Sequence, residues 1–296
     1  MSRRIAVTGA SGMLGQAVSR VLRDRGDQVI CLVRAGAVSR CIEGVQTSVV
    51  DLSELSSTPL PIGSVDALIH LAQASGWRSF PTGAGKIADV AVGATVRLAE
   101  YATLVGAKSF VYASSGGIYG SSADPVTERS PLKPGGELGF YLASKAAGDA
   151  LVAYFSRYIN IQRMRFFFIY GPGQRNDFLF PRLISSVGNG VPIRVAQERG
   201  PRINPIFVTD AAQAVVAALD LQESLTVNVA GPEVVSLRDI ASMIATHLGR
   251  AAVFEFEPGV PSDLVADIAL MTEKIGAPVV GLEQGIREML MAGEKL

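Results

Sequence analysis

The chain has 296 residues, of which 48% are hydrophobic and 18% are charged, and its 27 basic side chains equal its 27 acidic ones. This composition predicts a globular protein with one large α/β domain or a domain with a smaller lobe, and the charge balance indicates neither a nucleic-acid partner nor an acidic tail. No apolar run is long enough for a membrane span, and two cysteines and two histidines make neither a disulfide framework nor a metal site, so we expect a cytoplasmic protein without a metal.

Strands and helices are predicted to alternate along the first 172 residues. Strands are predicted at 3–9, 28–33, 45–52, 65–72, 108–115 and 161–171, and helices at 12–26, 86–107 and 141–158. Beyond them, helices are predicted at 180–190 and 236–249 and strands at 226–231 and 251–258. The alternation favours an α/β fold with a Rossmann-like, doubly wound parallel sheet. We assign 1–172 to this domain, with 203–228 returning to it, and 173–296 mainly to a smaller C-terminal α/β substrate lobe.

The first motif is TGASGMLG at residues 8–15. Gly9, Gly12 and Gly15 follow a predicted strand and open a predicted helix. One glycine permits the tight turn, one lets the backbone approach a pyrophosphate, and one allows close helix–strand packing, while the helix N-terminus offers N–H groups to the phosphates. We predict a dinucleotide cofactor here rather than a plain strand–helix turn. Further contacts are expected from Ser11, Met13 and Leu14.

Arg34 directly follows the second predicted strand. NAD-binding versions of this arrangement have an acid near this position for the ribose 2′-OH, and this sequence has none there. A guanidinium suits a 2′-phosphate, so we predict NADP(H) in preference to NAD(H), although a solvated arginine at a strand end is the alternative. Asp51, next to Leu52 at the end of the third strand, is either an acceptor for the adenine amino group or an ordinary polar strand terminus.

The second motif is YLASK at residues 141–145. Tyr141 and Lys145 lie four residues apart, and therefore on one face of a predicted helix. A phenol has a pKa of about 10, and a nearby ammonium favours its ionised form, which makes it a usable acid–base group. Ser114 and Ser115 end the fifth predicted strand, where open α/β sheets bind ligands, and a hydroxyl there can polarise a carbonyl.

Over nearly its whole length the chain resembles the extended short-chain dehydrogenase/reductase family, whose epimerases, dehydratases and reductases act mainly on nucleotide sugars. TGASGMLG is similar to the family's TGxxGxxG, SSGGIYG (114–120) to SSxxVYG, YLASK to YxxxK, and RFFFIYGPG (165–173) to RxxNxYGPG. Further family segments are matched by HLA (70–72), RINPIFVTDAA (202–212) and VNVAG (227–231).

The resemblance implies a role for each matched residue. Tyr141 would be the general acid/base, Lys145 its electrostatic partner, and Ser115 the hydroxyl that orients the carbonyl, with Ser114 as second choice. The matched segments add cofactor contacts at Leu71, Ala72 and Phe168, besides Tyr141 and Lys145. Candidate substrate contacts are Gln73, Ser115, Gly116, Phe168, Arg175 and Arg202.

The chain also departs from the family pattern. Phe168 stands where the family often has an Asn that touches the substrate phosphate, which leaves open whether the substrate carries a nucleotide diphosphate. Ala91 stands roughly where the family has an Asn that braces the active-site backbone. Gly116 and Gly117 replace the Asp-Glu pair of 4,6-dehydratases, which disfavours that dehydration.

The leading prediction is therefore an enzyme that uses NADP(H) to reduce a keto group on a sugar, a nucleotide sugar or a related carbonyl compound. One alternative is a nucleotide-sugar epimerase with tightly bound NAD. Another is a non-catalytic NADP(H)-binding regulatory protein, which the intact Tyr141 and Lys145 disfavour. From the family's habit we expect a homodimer through helices such as 86–107 and 141–158, and neither nucleic acid nor a membrane as partner.

Overall fold

The computed structural model describes residues 2–55, 60–74 and 76–293. It contains two compact units, each built from separate segments. The first comprises Met1–Ile118, Pro131–Phe166 and Ala212–Val227, and the second comprises Tyr119–Ser130, Phe167–Ala211 and Asn228–Leu296. Tyr119–Ser130 joins the second unit because Ser122 N–H and Val126 N–H donate to the carbonyls of Asp263 and Val265. The division at residue 172 into cofactor-binding and substrate-binding parts stays a prediction.

The strands are Arg4–Thr8 (β1), Gln28–Val33 (β2), Gln46–Val49 (β3), Ala67–His70 (β4), Ser109–Ser115 (β5), Asn160–Phe166 (β6), Ile193–Ala196 (β7), Arg202–Ile203 (β8), Leu225–Val229 (β9), Val235–Ser236 (β10) and Phe254–Glu257 (β11). Seven of them form one sheet in the order β3-β2-β1-β4-β5-β6-β9. β1 pairs in parallel with both β2 and β4, so the strand order reverses beside it. The predicted α/β fold with a doubly wound sheet is confirmed. In such sheets ligands bind at the carboxyl ends of the strands next to the reversal.

The helices are Met13–Asp24 (α1), Ala84–Ala88 (α2), Thr95–Leu104 (α3), Phe140–Val152 (α4), Leu179–Asn189 (α5), Val208–Ala218 (α6), Leu237–Leu248 (α7), Ala269–Lys274 (α8) and Leu282–Gly293 (α9). No described helix is both long and apolar enough to cross a membrane. The first unit's core includes Leu68, Leu98, Phe110 and Ile161, which are at most 1% exposed. These side chains come from the neighbouring strands β4, β5 and β6 and from α3, so their packing fixes the positions of the carboxyl ends of these strands.

The helix predicted over 86–107 is divided into three segments. α2 and α3 flank a π-helical segment, Asp89–Ala94. Thr95 Oγ1 donates to the Ala91 carbonyl across 2.9 Å, and α4 passes so close that a Cβ on Gly148 would lie 2.5 Å from the same oxygen. A π-bulge depends on such tertiary contacts, and hydrophobic periodicity does not reveal it.

Two predicted elements end earlier than expected. The strand predicted over 161–171 ends at Phe166, since Phe168 has a φ of 45°, in the left-handed region that a strand excludes. The helix predicted over 141–158 is α-helical to Val152 and continues as a 3-10 turn over Ala153–Arg157.

The second unit contains two small sheets, in which β7 pairs in parallel with β11 and β8 pairs antiparallel with β10. α7 begins with a capping box, since Ser236 Oγ accepts from Asp239 N–H and the Asp239 carboxylate accepts from Ser236 N–H. α8 and α9 were not predicted, although Leu282, Ile286 and Met289 of α9 are buried at helical spacing.

Candidate active site

The glycine motif forms a tight turn between β1 and α1. Gly9 has a φ of 69°, and a Cβ there would lie 2.8 Å from the Ala72 nitrogen. A Cβ on Gly15 would lie 2.1 Å from the Gly9 carbonyl oxygen, so α1 packs directly on the turn. Gly12 is the N-cap of α1 with no side-chain cap, and Ser11, Met13 and Leu14 surround it in sequence. The geometry requires glycine at positions 9 and 15, and the start of α1 presents backbone N–H groups at the carboxyl end of β1.

The end of β4 closes this turn from the other side. The Leu71 and Ala72 N–H groups donate to the Thr8 carbonyl and Oγ1 at 3.3 Å, and the exposed Gln73 follows. His70 is fully buried between Thr8 Oγ1 at 2.7 Å and Thr95 Oγ1 at 3.1 Å. Burial, aided by the charge of Lys145, lowers the pKa of His70 to about 3. The neutral His70 thus ties β1, β4 and α3 together, which agrees with a structural role.

Arg34 and Asp51 stand at the carboxyl ends of two paired strands. Arg34 is exposed and follows β2, and Val33 pairs with Val49 of β3. The Asp51 carboxylate accepts from Ser53 N–H at 2.9 Å and Ser53 Oγ at 2.7 Å. These hydrogen bonds, with a contribution from the charge of Arg34, lower the pKa of Asp51. The two side chains therefore form a charged pair of neighbours at this edge, and their cofactor roles stay predictions.

α4 brings Tyr141 and Lys145 to the end of β5. Lys145 is buried, and its Nζ donates to the Ala113 carbonyl across 2.8 Å. Burial lowers the pKa of Lys145 to about 8, and the negative charge of Asp149 acts in the opposite direction by raising it. We expected the Lys145 ammonium to lower the pKa of Tyr141, but burial instead raises the pKa of that phenol, even though part of its side chain is exposed. Tyr141 is therefore a protonated group at neutral pH.

Ser114 and Ser115 point to different faces of β5. Ser114 is 5% exposed, whereas Ser115 is half-buried and its Oγ accepts from Gly117 N–H at 3.1 Å. Ser115 can thus still donate its hydroxyl hydrogen to a ligand, which favours it over Ser114. Gly116 is buried, and a Cβ on Gly117 would lie 2.8 Å from the Leu142 side chain. An acidic residue at 117 would need Leu142 to move, and the predicted absence of 4,6-dehydratase chemistry stays a prediction.

Aromatic rings from the loop after β4 cover the start of α4. The Trp77 ring lies 4.6 Å from the Tyr141 ring between centroids, and the Phe80 ring stacks on Phe140 at 4.9 Å. The Arg78 guanidinium carbon lies 4.3 Å from the Trp77 ring centroid. Trp77 thus lies against the candidate acid. Arg78 was not among the predicted site residues, and it belongs to the loop that follows β4.

The second unit holds the remaining predicted substrate residues. Phe168 is 37% exposed and has a φ of 45°. Arg175 forms an ion pair with Asp177 at 2.9 Å, and Arg202 forms one with Asp263 at 2.7 Å. Both arginines are already engaged by carboxylates of their own unit, and their contacts with a substrate stay predictions.

A metal centre was not predicted, and the described part of the chain has no group of three or more His, Cys, Asp or Glu side chains that could hold a metal ion. The candidate site in the first unit is thus made of a glycine turn, a buried lysine, a tyrosine and a serine. These groups are suited to binding a dinucleotide and moving a proton.

Comparison with known proteins identifies the family. Residues 5–230 match the model of the NAD dependent epimerase/dehydratase family, which is more than half of the chain. The chain belongs to this family. The resemblance predicted from the motifs is therefore confirmed, and family membership makes the chain an enzyme of the short-chain dehydrogenase/reductase type.

Relatives within the epimerase/dehydratase family differ in their named activities. An uncharacterized UDP-glucose epimerase, YtcB, from Bacillus subtilis is 27% identical, with 96% of this chain and 95% of that protein covered. A dTDP-4-dehydro-6-deoxy-D-allose reductase from a Streptomyces species is 26% identical, with 97% and 94% covered. The solved structure of TunA, an NAD-dependent NDP-hexosamine 5,6-dehydratase of tunicamycin biosynthesis, is 27% identical, with 100% and 99% covered and a TM-score of 0.84.

Proposed function

We propose that this protein uses NADPH to reduce a keto group on a sugar, a nucleotide sugar or a related carbonyl compound, with Tyr141 as the general acid. The observation that carries the proposal is the 2.8 Å hydrogen bond from Lys145 Nζ to the Ala113 carbonyl. It fixes the tyrosine–lysine face of α4 to the strand end that carries Ser115. A proton donor, a cation and a carbonyl-binding hydroxyl are thereby held by one rigid unit.

The residues present fit a dinucleotide. The turn after β1 has no room for a Cβ at Gly9 or Gly15, and the N-terminus of α1 has no side-chain cap, so its N–H groups can face a pyrophosphate. We assign the pyrophosphate to this turn and the adenosine end to Arg34 and Asp51. When bound, NADPH supplies the hydride for the carbonyl carbon.

The protein's own residues supply the proton and the orientation. Burial keeps Tyr141 protonated, so its hydroxyl can donate a proton to the carbonyl oxygen as negative charge develops there. Ser115 donates a hydrogen bond to the same oxygen, because its own acceptor side is already occupied by Gly117 N–H. Lys145 supplies a positive charge that stabilises the phenolate left after proton transfer.

The proposed preference for NADPH depends on Arg34. It is the first residue after β2, and it is exposed, so a 2′-phosphate can reach its guanidinium. The planar fork of arginine matches a phosphate better than the ribose hydroxyl of NADH does. A preference for NADPH, in turn, favours net reduction over an epimerase cycle in which the cofactor never leaves.

The first experiment is a titration of the purified protein with NADPH and NADH, followed by nucleotide fluorescence. We expect NADPH to bind at least about tenfold more tightly, which corresponds to about 1.4 kcal/mol. Arg34→Ala should remove most of this difference and leave NADH binding unchanged. The matched control is Arg157→Ala, an exposed arginine next to the amino end of β6, at the opposite edge of the sheet. Equal binding of NADPH and NADH by the unaltered protein would contradict the role of Arg34.

The second experiment identifies the reaction. The protein is incubated with NADPH and a dTDP-4-dehydro-6-deoxy sugar, and separately with NAD and UDP-glucose or UDP-glucuronic acid. The products are separated by chromatography, and their masses are measured by mass spectrometry. Reduction adds two hydrogens at the expense of NADPH, epimerisation changes the retention time and not the mass, and dehydration removes water. Tyr141→Phe should abolish turnover and leave NADPH binding intact. Turnover that survives this substitution would contradict the role of Tyr141, and NADPH binding without turnover of any substrate by the unaltered protein would support the regulatory alternative.

The named relatives favour a second candidate function, an NAD-dependent nucleotide-sugar epimerase. In that case NAD would accept a hydride from one carbon and return it, while the same tyrosine, lysine and serine would move the proton and orient the oxygen. NAD that is released only when the protein is denatured would make this candidate the leading one, and Arg34 would then have no role in cofactor choice.

The homodimer and the cytoplasmic location also stay proposals. The end of α4 and the 3-10 turn after it carry exposed apolar side chains, Leu151 at 41%, Tyr154 at 71% and Tyr158 at 73%, and α3 ends with Leu104 at 80%. A second copy of the chain would cover these side chains, as the dimers expected for this family would.

A further inference from the structure

A buried ion cluster follows the tyrosine–lysine motif within the first unit. Asp149 is only 1% exposed, and its carboxylate accepts from Arg163 Nη1 at 2.7 Å. Arg165 donates to both carboxylate oxygens, from Nη2 at 3.2 Å and from Nε at 3.3 Å. Asp149 lies one helical turn after Lys145 on α4, so the two side chains share a face.

Both arginines belong to β6, the strand that pairs with β5, and β5 carries the Ala113 carbonyl that accepts from Lys145. β5 and β6 pair in parallel, with Tyr112 opposite Arg163 and Ser114 opposite Arg165. Alternate residues of a strand lie on one face, so the arginines stand on the side of the sheet that faces α4. The Lys145 Nζ lies 5.0 Å from the Tyr112 ring centroid, on this same side.

The burial of Lys145 needs an explanation. An ammonium removed from water is strongly disfavoured unless charges nearby offset the loss of hydration. Its hydrogen-bond acceptor, the Ala113 carbonyl, is neutral. Burial lowers the pKa of Lys145, and the negative charge of Asp149 raises it.

The arginines keep Asp149 ionised. Burial alone would raise the pKa of this carboxyl, but the hydrogen bonds and charge of Arg165, with the charge of Arg163, hold it below its usual value. The two-pronged contact from Arg165 also fixes the orientation of the carboxylate. Asp149 thus holds a negative charge in a fixed position, one helical turn from Lys145.

We propose that Asp149 is a positioning residue that keeps Lys145 charged and holds it against the end of β5. Asp149 reaches neither Tyr141 nor a substrate in this scheme, and it acts through Lys145. The importance of this charge for turnover rests on the proposed function, whereas the effect of Asp149 on Lys145 does not.

Other charged or titratable groups belong to the elements packed near Lys145. They are His70 of β4, Tyr112 of β5, Tyr141 of α4, and Arg163 and Arg165 of β6, which bind Asp149. The charged side chains of the other segments packed on α4 are exposed to solvent, and these are Lys86, Asp89, Arg97, Glu100, Glu137 and Arg157. His70 is neutral above about pH 3, so it does not titrate in the range where Lys145 does.

The test is a direct titration of Lys145 in the full-length protein without added ligand. The chain has six lysines, so NMR of the protein with lysine labelled with ¹³C at Cε gives few resonances. The resonance that is missing in Lys145→Met belongs to Lys145. We expect the resonance to titrate near pH 8 in the unaltered protein. In Asp149→Asn the midpoint should fall to about 7 or lower, because the ammonium loses its counter-charge and keeps two neighbouring arginines. Asp149→Glu should restore most of the shift.

A second variant covers the case in which Asp149→Asn does not fold. Asp149→Asn combined with Arg163→Gln removes one charge of each sign, and Arg163→Gln alone is its matched control. The double variant should lower the Lys145 midpoint, and the single control should leave it near 8 or raise it. A folded Asp149→Asn or double variant in which Lys145 still titrates near pH 8 would overturn the proposal.

This result is independent of the cofactor experiments. If NADPH does not bind but Asp149→Asn shifts the Lys145 titration, the proposed function fails and the positioning role stands. If NADPH binds and Lys145 does not respond to residue 149, the positioning role fails alone.

Discussion

The Gly9–Gly15 turn offers a quantitative test of the cofactor site through Gly15→Ala. The added Cβ would lie 2.1 Å from the Gly9 carbonyl oxygen and 2.6 Å from the Ala10 Cα, and both obstacles are backbone atoms. Overpacking of this kind costs about 1–3 kcal/mol, and because backbone must move we expect the upper end, about 3 kcal/mol. The better helix propensity of alanine returns at most about 1 kcal/mol. A net loss of about 2 kcal/mol should lower the melting temperature of a chain of this length by roughly 3 °C.

The measurements are thermal unfolding by circular dichroism and NADPH binding by nucleotide fluorescence. NADPH binding should weaken as well, since the displaced Gly9 belongs to the turn assigned to the pyrophosphate. The matched control is Gly188→Ala in α5, where a Cβ meets nothing within 4 Å. This control should stabilise the protein by about 0.5–1 kcal/mol. If Gly15→Ala melts like the unaltered protein and binds NADPH equally well, the turn is not the tight cradle described here.

Three further predictions use other parts of the structure. The pKa of Lys145 is about 8 in the folded chain against a usual 10.5, so the unfolded chain binds more protons between these values. The free energy of unfolding should therefore rise from pH 8 to 10.5, by up to about 3 kcal/mol. Urea unfolding of Lys145→Met should lack this rise, and the same pH dependence in both proteins would argue against the buried charge. Phe168→Asn should raise stability by about 1 kcal/mol, because asparagine tolerates a φ of 45° better than phenylalanine does; a lower melting temperature would mean that ring packing outweighs the backbone strain. Tyr154→Glu places a charge on the exposed 3-10 turn after α4 and should convert a dimer into monomers in light scattering; a dimer that persists would place the interface elsewhere.

Much of the first unit's fold could be predicted from local pattern. The apolar runs that became β1, β2, β4 and β5 were placed within one or two residues, because strands buried on both faces leave a nearly continuous hydrophobic signal. The π segment Asp89–Ala94 could not be predicted, since it depends on how closely Gly148 approaches Ala91. The early end of β6 depends on the φ of Phe168, and a phenylalanine gives no sequence signal for a left-handed backbone.

The candidate site divides in the same way. The sequence by itself proposed the glycine turn, Tyr141 and Lys145, with Ser115 preferred to Ser114, because short-range geometry, side-chain chemistry and the resemblance to a family point to these residues. It also predicted that the Lys145 ammonium favours the ionised form of Tyr141, whereas burial raises the pKa of that phenol. Burial is a property of the packed chain, so the direction of that pKa could not be known before the side chains were placed.

Tertiary structure alone decided which side chains act on Lys145 and Tyr141. Trp77 meets Tyr141 across a loop, and Asp149 is held by arginines of a strand that follows it in the chain. These contacts join residues 14 to 64 positions apart, through backbone paths that no local pattern specifies. Local periodicity therefore indicated the fold, and the motif resemblance indicated the family and the candidate reacting groups. The electrostatics that set the protonation of those groups depend on long-range packing, which only the folded chain defines.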